Sequence, residues 1–329
     1  MKTIIHDFDP AVFEELFPET AQLTRLGTSE PPAVILSPMY PARPCIGCFG
    51  CWIKTPGSCV LPDSYQEMGK LLSRTSELIL ISRCCYGGYS PYVKNVLDRS
   101  IGYIQPFFRI VHGEMHHVMR HDNRMAITTH FYGDSITRLE EETADRLAKA
   151  NAVNFGASGC TVHLSQTCQL KLRVVVSKGI GFLKTINGSP KRRDSSSGAL
   201  LDDLRSLLDP GTETDIMTVT ASHPAASSAY TGMRWEPSPE DVKQLRGSSF
   251  LVLSFPLYVD AVPSHLLSFL MELEWQQKNN RLLENSEPLA VYAAVNCGFY
   301  EGKQAALALR IVENWCLRCG FEYKQGIGC

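Results

Sequence analysis

The stretch FLKTINGSPKRRDSSSGALLDDLRSLL, residues 182–208, decides the predicted fold. It begins with a short apolar run, continues through a polar loop containing glycine and proline, and ends in a segment with helical periodicity. The leucines of that segment repeat at helical spacing and predict one apolar face: Leu200, Leu201, Leu204, Leu207 and Leu208. The stretch therefore predicts a strand, a loop and a helix in succession.

The rest of the second half continues the alternation. DIMTV (215–219), FLVLSFPLY (250–258), LAVYAAVN (289–296) and FEYKQGIG (321–328) predict strands. SHLLSFLMELEWQQK (264–278) and GKQAALALRIVENWCLRCG (302–320) predict helices. Strands that alternate with helices predict βαβ units, a parallel sheet and helices on both of its faces.

The first half repeats this pattern. ELILISRCCYGGYSP (77–91) aligns with SFLVLSFPLYVDAVP (249–263), which places Tyr86 on Tyr258 and Pro91 on Pro263. MAITTHFYGD (125–134) resembles VYAAVNCGFYEG (291–302), and MKTIIHDFDP (1–10) shares Lys-Thr-Ile with LKTINGSP (183–190). We therefore expect two similar α/β domains, 1–172 and 173–329. In the joint between them, RVVV (173–176) is itself a strand candidate.

Composition excludes several functional classes. The chain has 329 residues, of which 44% are hydrophobic and 20% charged, and a net charge of −2. This charge gives no reason to expect nucleic acid or an anionic membrane as a partner. No apolar run approaches the roughly 18 residues that span a bilayer. The first ten residues contain two aspartates where a signal peptide needs an apolar core, so we expect a soluble cytoplasmic protein.

The loop NGSPKRRDSSS (187–197) lies where an open α/β sheet holds phosphate, after a first strand and at the start of a helix. Gly188 would let the backbone approach the anion, and the loop amides would point towards it. The serines offer hydroxyl donors, while Lys191, Arg192 and Arg193 add positive charge. GxxxxGK[ST] and GxGxxG are both absent, which argues against an NTPase or a Rossmann dinucleotide site. A polar turn that caps a helix is the alternative.

INGSPKRRDSSS (186–197) resembles the phosphate loop of the NADPH-dependent FMN reductase branch of the flavodoxin-like superfamily. SFPLYVDAVPSHLLSFL (254–270) resembles the segment that borders the flavin ring in that family, and VNCGFYEGKQ (295–304) resembles the loop after its fourth strand. The resemblance implies two tandem flavodoxin-like three-layer α/β/α sandwiches. Each would contain a parallel five-stranded sheet with strand order 2-1-3-4-5.

The resemblance also implies a flavin site in the second domain. The phosphate would lie on residues 187–197, the ring against Pro256, Leu257 and Tyr258, and the pyrimidine side against the backbone of residues 296–300. FMN carries the chemistry, so no catalytic side chain is required. The implied cofactor-binding residues are Asn187, Gly188, Ser189, Pro190, Lys191, Ser195, Ser196, Ser197, Pro256, Leu257, Tyr258, Val259, Asp260, Asn296, Cys297, Gly298, Phe299 and Tyr300.

The implied activity is that of an FMN-dependent oxidoreductase of the flavin or quinone reductase type. Electrons would pass from NAD(P)H through FMN to a small-molecule or protein acceptor. Two alternatives stay open: an electron carrier that never uses NAD(P)H directly, and a non-enzymatic tandem scaffold or sensor. Flavin sites in this family often lie at dimer interfaces, so we expect a homo-oligomer.

The first domain departs from the family pattern at the phosphate loop. HDFDPAVFEELF (6–17) places Asp7 and Asp9 where small and basic residues are expected, and CCY (84–86) replaces PLY (256–258). Carboxylates beside an FMN phosphate repel it. We therefore predict that the first domain is a degenerate copy without its own flavin. The alternative is that it supplies part of a shared flavin pocket.

The chain has 12 cysteines, and four lie close together as Cys45, Cys48, Cys51 and Cys59. This segment resembles the cysteine-rich segment of iron–sulfur flavoproteins, which implies a [4Fe–4S] cluster. From the residues alone, a cluster, a tetrahedral zinc ion and buried or free thiols all remain open. Cys84 and Cys85 end a strand, so at least one should point into the core, and Cys316 and Cys319 should be buried on one face of a helix.

HGEMHHVMRHDN (112–123) contains His112, His116, His117 and His121. Pairs of these histidines four residues apart would share one face of a helix and could chelate a metal ion. HExxH is absent, which argues against a zinc-protease site. We expect a polar surface or interface segment.

Overall fold

The computed structural model describes residues 1–18, 33–39, 42–166, 182–191, 195–206, 214–220, 245, 248–279, 288–298 and 301–329. The chain divides into two compact units, Met1–Gln169 and Leu170–Cys329, which we call unit 1 and unit 2. Among the described residues, every helix is too short or too polar to cross a membrane. The RVVV segment (173–176) lies outside the described residues.

Unit 1 is built on a parallel five-stranded sheet in the order β2-β1-β3-β6-β7. Its strands are β1 (Lys2–His6), β2 (Ala33–Leu36), β3 (Glu77–Arg83), β4 (Ile104–Val111), β5 (Glu114–Met119), β6 (Ala126–Gly133) and β7 (Gly159–Gln166). Its helices are α1 (Pro10–Leu16), α2 (Gly50–Ile53), α3 (Met68–Ser73), α4 (Pro91–Asp98) and α5 (Arg138–Asn154), with a 3₁₀ turn at Arg99–Tyr103. Ser90 caps α4, and Thr137 with Glu140 forms a capping box on α5.

The histidine-rich segment lies in an antiparallel hairpin rather than a helix. β4 pairs with β5, and the tight turn between them uses positive φ angles at His112 (51°) and Gly113 (81°). Side chains alternate between the two faces of a strand, so His112 and His116 cannot chelate a metal ion from one helical face. His117 and His121 cannot do so either, because His117 belongs to strand β5. The alternative that these histidines chelate a metal ion from one helix is wrong, because the segment forms a β-hairpin.

Unit 2 repeats the topology with the order β9-β8-β10-β11-β12, all parallel. Its strands are β8 (Phe182–Asn187), β9 (Thr214–Thr218), β10 (Ser248–Pro256), β11 (Ala290–Asn296) and β12 (Glu322–Gly328). Its helices are α6 (Ser196–Ser206), α7 (Ser264–Lys278) and α8 (Ala306–Cys319), and a 3₁₀ turn covers Gly302–Ala305.

Both sheets therefore have the doubly wound order 2-1-3-4-5 of the flavodoxin-like fold. Crossovers between parallel strands are right-handed, so the chain changes faces of the sheet when its direction of travel reverses after the second strand, β2 or β9. In unit 2 this places α6 on one face and α7 and α8 on the other. The predicted fold class, two tandem flavodoxin-like α/β/α units with parallel five-stranded sheets, is confirmed.

The core of unit 2 follows from the apolar strands and the inner helix faces. β10 is buried along Leu251–Phe255, as expected for a strand covered on both sides. Trp315 of α8 is fully buried and donates a hydrogen bond to the Leu270 carbonyl of α7 at 2.9 Å. Cys316 and Cys319 are buried in the same helix, as predicted, and Cys84 and Cys85 are buried in unit 1.

The internal repeat has a different register from the one that residue identity predicts. His6 of β1 pairs with Ile81, and Asn187 of β8 pairs with Ser254. The two-residue turn after the third strand is closed by Cys85 and Gly88 in unit 1 and by Tyr258 and Ala261 in unit 2. The structure therefore equates Cys85, not Tyr86, with Tyr258. The Tyr-on-Tyr and Pro-on-Pro alignment is wrong by one residue, because ladder pairing rather than identity sets the register.

Candidate functional site at the carboxyl edge of unit 2

Three loops meet at the carboxyl edge of the unit 2 sheet. The Gly188 amide donates to the Ser254 carbonyl at 2.7 Å, which joins the loop after β8 to β10. The Leu257 amide donates to the Asn296 carbonyl at 2.8 Å, which joins the loop after β10 to the end of β11. This edge includes the switch point between β8 and β10, where doubly wound sheets hold their ligands. The structure thus brings together the three segments that the sequence singled out.

Serines organise the loop after β8. Ser195 caps α6, because its Oγ accepts the Gly198 amide at 3.0 Å and its carbonyl accepts the Ala199 amide at 3.0 Å. The same Oγ accepts the side-chain amide of Asn187 at 3.3 Å. Each of these contacts uses the oxygen as an acceptor, so the hydroxyl proton can still be donated to an anion. The neighbouring Ser196 is exposed and Ser197 is buried, so the serine run spans the loop surface and its floor.

Part of the predicted anion cradle is occupied by contacts within the loop. The Ser189 amide donates to Asn187 Oδ1 at 3.0 Å, and the Lys191 amide donates to Ser189 Oγ at 3.3 Å. These amides therefore do not point towards an anion as the sequence predicted. The remaining candidate donors are the serine hydroxyls and the α6 N-terminus, with exposed Lys191 beside them; Pro190 is buried, and Arg192 and Arg193 lie outside the described residues.

Gly188 is required for packing against α7. A Cβ atom at this position would lie 2.5 Å from Leu266 Cδ2 and 3.0 Å from Phe255 Cβ. Leu266 and His265 both belong to α7, and His265 Nε2 lies 3.1 Å from the Gly188 carbonyl oxygen. The glycine thus allows α7 to pack closely against the loop. This role differs from the predicted one, and only the position of α7 in the fold reveals it.

The turn after β10 has a strained backbone. Val259 and Asp260 adopt positive φ angles of 45° and 58°, while Tyr258 and Ala261 close the turn through backbone hydrogen bonds of 3.1 and 3.0 Å. A β-branched residue in the left-handed region is a genuine outlier. Such strain is found most often at ligand sites. The turn is partly accessible at the edge where the flavin ring was predicted to lie. Its half-buried residues are Pro256, Leu257, Tyr258 and Val259.

The loop after β11 completes the edge. Asn296 Oδ1 accepts the Gly298 amide at 3.2 Å, and Gly298 has a φ of 64°. Asn296 and Cys297 are half-buried, whereas Gly298 is exposed. Phe299 and Tyr300 were also predicted here and lie outside the described residues.

In unit 1 a carboxylate fills the equivalent position. Asp7 follows β1 as Gly188 follows β8, and its Oδ2 accepts the Arg83 amide at 2.9 Å while its Oδ1 accepts the Tyr132 hydroxyl at 2.8 Å. Burial raises the pKa of Asp7 above its ordinary value, and hydrogen bonds from Ser90, Arg83 and Tyr132 oppose part of that rise. The donors that could serve an external anion are used by the protein itself.

Aromatic rings fill the rest of this edge. Phe8 stacks on Tyr132 with ring centroids 4.5 Å apart, and His6 stacks on Phe13 at 3.8 Å. Burial lowers the pKa of His6 to about 4 and raises that of Tyr132, so both groups are neutral near pH 7. The one-residue shift in register also changes which residues replace the ring-bordering segment of unit 2. Pro256, Leu257 and Tyr258 correspond to Arg83, Cys84 and Cys85, and the predicted correspondence with CCY (84–86) is wrong.

The four clustered cysteines of unit 1 line one small cavity. Cys45, Cys48, Cys51 and Cys59 surround it together with Arg99, and the cavity is about as large as one water molecule. Burial raises the pKa of Cys45 to about 12 and that of Cys51 to about 11. Across the described residues, no three His, Cys, Asp or Glu side chains are placed to hold a metal ion. As placed here, the four thiols do not form a ligand set for a [4Fe–4S] cluster.

The residues that organise this cysteine segment were not evident from spacing. Arg99 is buried and forms a bidentate ion pair with Asp63 at 2.7 and 2.8 Å, and it also donates to the Arg43 carbonyl at 2.7 Å. Lys94 and Asp98 form a second buried ion pair on α4. The Lys-x-x-x-Asp-Arg pattern (94–99) was the available signal, and it indicates a buried ionic support for the segment.

Comparison with known proteins adds little to this description. A scan against models of known protein families finds no match, and a search of curated protein sequences finds none either. An azoreductase from Bacillus anthracis str. Sterne is similar in structure, with 14% sequence identity and a TM-score of 0.30. The similarity covers 45% of this chain and 85% of the azoreductase chain. A TM-score this low supports no statement about the present chain.

Proposed function

We propose that unit 2 binds FMN at its carboxyl edge and that the protein is an FMN-dependent NAD(P)H oxidoreductase. One observation supports this above all: the three segments predicted from sequence to contact phosphate, ring and pyrimidine meet at one sheet edge, linked by hydrogen bonds. They meet at the switch point of a sheet with the flavodoxin-like order.

Each segment has a defined role in this proposal. The hydroxyls of Ser189 and Ser195, the α6 N-terminus and Lys191 would hold the phosphate. The half-buried turn at Tyr258 and Val259 would border the ring, and the backbone after β11 would face the pyrimidine. FMN, when bound, supplies two-electron chemistry with a nicotinamide donor. The serine hydroxyls and the helix terminus favour an anion, and Gly188 takes the position that Asp7 has in unit 1.

Unit 1 does not bind flavin in this proposal, and no step passes through a metal cluster. The occupied Asp7 position and the stacked Phe8–Tyr132 pair support the first point, since both fill the equivalent edge. The electron acceptor would be a small molecule or a protein. We further propose that the protein acts as a homo-oligomer in the cytoplasm.

Two measurements test the proposal. Titration with FMN should quench flavin fluorescence with a stoichiometry of one per chain, and the loaded protein should oxidise NADH or NADPH in the steady state. Binding without turnover of either nucleotide would identify an electron carrier instead. Failure to bind FMN would refute the proposal and would favour the alternative of a non-enzymatic tandem scaffold or sensor.

A further inference from the structure

The four clustered cysteines of unit 1 share their cavity with a buried cation. Cys45, Cys48, Cys51 and Cys59 line it together with Arg99, and it has room for about one water molecule. Arg99 is only 3% exposed, whereas Cys59 is half-buried. A cavity of this kind excludes bulky reagents but admits hydrogen peroxide, which is little larger than water. A small oxidant can therefore meet a thiol beside a buried positive charge.

Arg99 has a donor that the fold leaves unpaired. Its Nη atoms donate to the Asp63 carboxylate at 2.7 and 2.8 Å, and one of them also donates to the Arg43 carbonyl at 2.7 Å. Its Nε is buried and has no hydrogen-bond partner among the described residues. A buried donor without a partner costs free energy, so an oxygen atom in the cavity would stabilise this side chain. The site is therefore suited to a sulfur that carries one oxygen.

Cys59 is the thiol at which the cation and the other thiols meet. Burial opposes the charge of Arg99, but hydrogen bonding to Asp63 and the nearby Cys59 sulfur raise the Arg99 pKa above its ordinary value. Burial raises the pKa of Cys51 to about 11, and Cys59 is the largest electrostatic contributor to that rise. The Gly57 amide donates to the Cys51 carbonyl at 2.9 Å, which folds the chain before Cys59 back onto Cys51. Cys59 thus has a cation and a second thiol as neighbours.

We propose that Cys59 is a peroxide-reactive cysteine whose sulfenic form is held by Arg99 and then forms a disulfide with Cys51. This inference goes beyond the proposed flavin chemistry and does not depend on it. The Cys59 sulfur attacks one oxygen of hydrogen peroxide, the O–O bond breaks, and the other oxygen leaves as water. The oxygen on Cys59 occupies the cavity and accepts from Arg99 Nε. The Cys51 sulfur then attacks Cys59 and releases this oxygen as water, so that two thiols and one peroxide give one disulfide and two waters.

The first test identifies the thiols that react. The reduced full-length protein is treated with equimolar hydrogen peroxide, its remaining thiols are alkylated, and its tryptic peptides are analysed by mass spectrometry. Lys54 separates Cys51 from Cys59, so the disulfide should appear as a cross-link between two peptides that dithiothreitol removes. Cys160, which is also half-buried but lies in β7, should remain alkylated. An unmodified Cys59 would overturn the inference, and a link from Cys59 to another cysteine would overturn Cys51 as its partner.

The second test measures the role of Arg99. In Cys51→Ser the sulfenic acid on Cys59 should persist and react with dimedone. Adding Arg99→Lys to this variant should lower dimedone labelling of Cys59 about tenfold or more, because lysine lacks the Nε donor of the guanidinium. Asp63→Asn is the matched control, since it weakens the same ion pair but retains Arg99, and it should keep most of the labelling. Equal losses in the two variants would show that Arg99 only supports the segment and would overturn its role at the sulfur.

Discussion

The residue that follows the first strand is an aspartate in unit 1 and a glycine in unit 2. Asp7 turns its carboxyl group onto the Arg83 amide and the Tyr132 hydroxyl, and so occupies both donors itself. Gly188 presents no side chain, and α7 packs against it. The two sheets share one strand order, yet one edge is filled and the other is lined with hydroxyl donors. The fold alone therefore does not determine whether this edge can accept an external anion.

The difference extends beyond one residue. In unit 1 the loop adds Phe8 and α1 adds Phe13, and their rings stack on Tyr132 and His6. In unit 2 the corresponding loop contains four serines among its polar and basic residues, with Ser195 as the helix cap. Stacked aromatic rings therefore fill the carboxyl edge of the unit 1 sheet. The same edge of unit 2 keeps polar surface that a ligand could contact. This contrast can be broken or sharpened by four substitutions.

The largest effect should come from a charge at the helix cap of unit 2. Ser195→Asp keeps a good N-cap residue but adds a carboxylate where the phosphate is proposed to lie. Loss of a hydrogen bond to a charged group costs about 1.5–3 kcal/mol. With the added like-charge repulsion, the Kd for FMN should rise more than about 100-fold. Fluorescence titration measures this change.

Ser195→Asn provides the matched control, because asparagine caps a helix equally well and is neutral. Its FMN affinity should stay much closer to that of the unmodified protein than the affinity of Ser195→Asp does. Asp7→Asn in unit 1 should leave FMN affinity unchanged. An equal loss of FMN affinity in Ser195→Asp and Ser195→Asn would show that the added charge does not repel a phosphate. A change in FMN affinity in Asp7→Asn would show that flavin binds at unit 1.

The next effect concerns the stacked histidine of unit 1. Burial lowers the pKa of His6 from 6.5 to about 4, so folding favours its neutral form. The stability that this provides is complete above about pH 6.5 and is lost as the pH falls towards 4. The loss amounts to about 3 kcal/mol at most. Hydrogen exchange of β1 peptides between pH 4 and 7.5, corrected for intrinsic rates, should report it.

His6→Phe retains a ring against Phe13 and removes the titration. Its β1 protection should vary less with pH than that of the unmodified protein, while unit 2 peptides should behave alike in both. An unchanged acid dependence in the variant would show that another group is responsible.

A smaller effect should follow from Gly188→Ala in unit 2. The added methyl group would overlap Leu266 and Phe255, and overpacking of this kind costs about 1–3 kcal/mol. A thermal melt should show a lower midpoint for unit 2. Gly159→Ala in unit 1 meets no atom within 4 Å and should change stability by less than about 0.5 kcal/mol. If the two variants are equally stable, α7 does not depend on the glycine for its packing.

The smallest effect should come from relief of strain in the turn. Val259 adopts a φ of 45°, and the equivalent residue of unit 1, Tyr86, adopts a φ of 57°; only Val259 is β-branched. Val259→Gly should stabilise unit 2 by up to about 1 kcal/mol, since glycine tolerates positive φ. FMN affinity should fall in the same variant if the strained turn presents the ring contact in a fixed position. A destabilised variant would show that the valine side chain contributes more by packing than its backbone costs.

Much of the fold was predictable because its signals are local. The α7 stretch (264–278) was predicted with the bounds that the structure has, because its apolar spacing and polar ends agree. The loop after β8 was predicted from its glycine, proline and serine cluster, whereas the segments after β10 and β11 were predicted from the resemblance to the FMN reductase branch. The internal alignment of the two units was wrong by one residue, because pairing between strands is not encoded in the identity of single residues.

The role of each candidate residue depended on its neighbours in space. Gly188 was predicted to approach a phosphate, but its Cβ position is blocked by a helix about 78 residues further along the chain. The four cysteines of unit 1 have cluster-like spacing, yet among the described residues their thiols are not placed as a metal ligand set.

The sequence by itself determined the strand and helix alternation, the duplication and the hydroxyl-rich loop, because apolar periodicity and turn chemistry act over a few residues. Only the tertiary structure decided which donors remain for a ligand. Asp7 accepts from two of them in unit 1. In unit 2 the Ser189 and Lys191 amides donate within the loop, whereas the Ser189 and Ser195 hydroxyls accept hydrogen bonds there and keep a proton to donate. Hydrogen-bond donors are shared between residues far apart in the chain, so their availability is a property of the folded molecule.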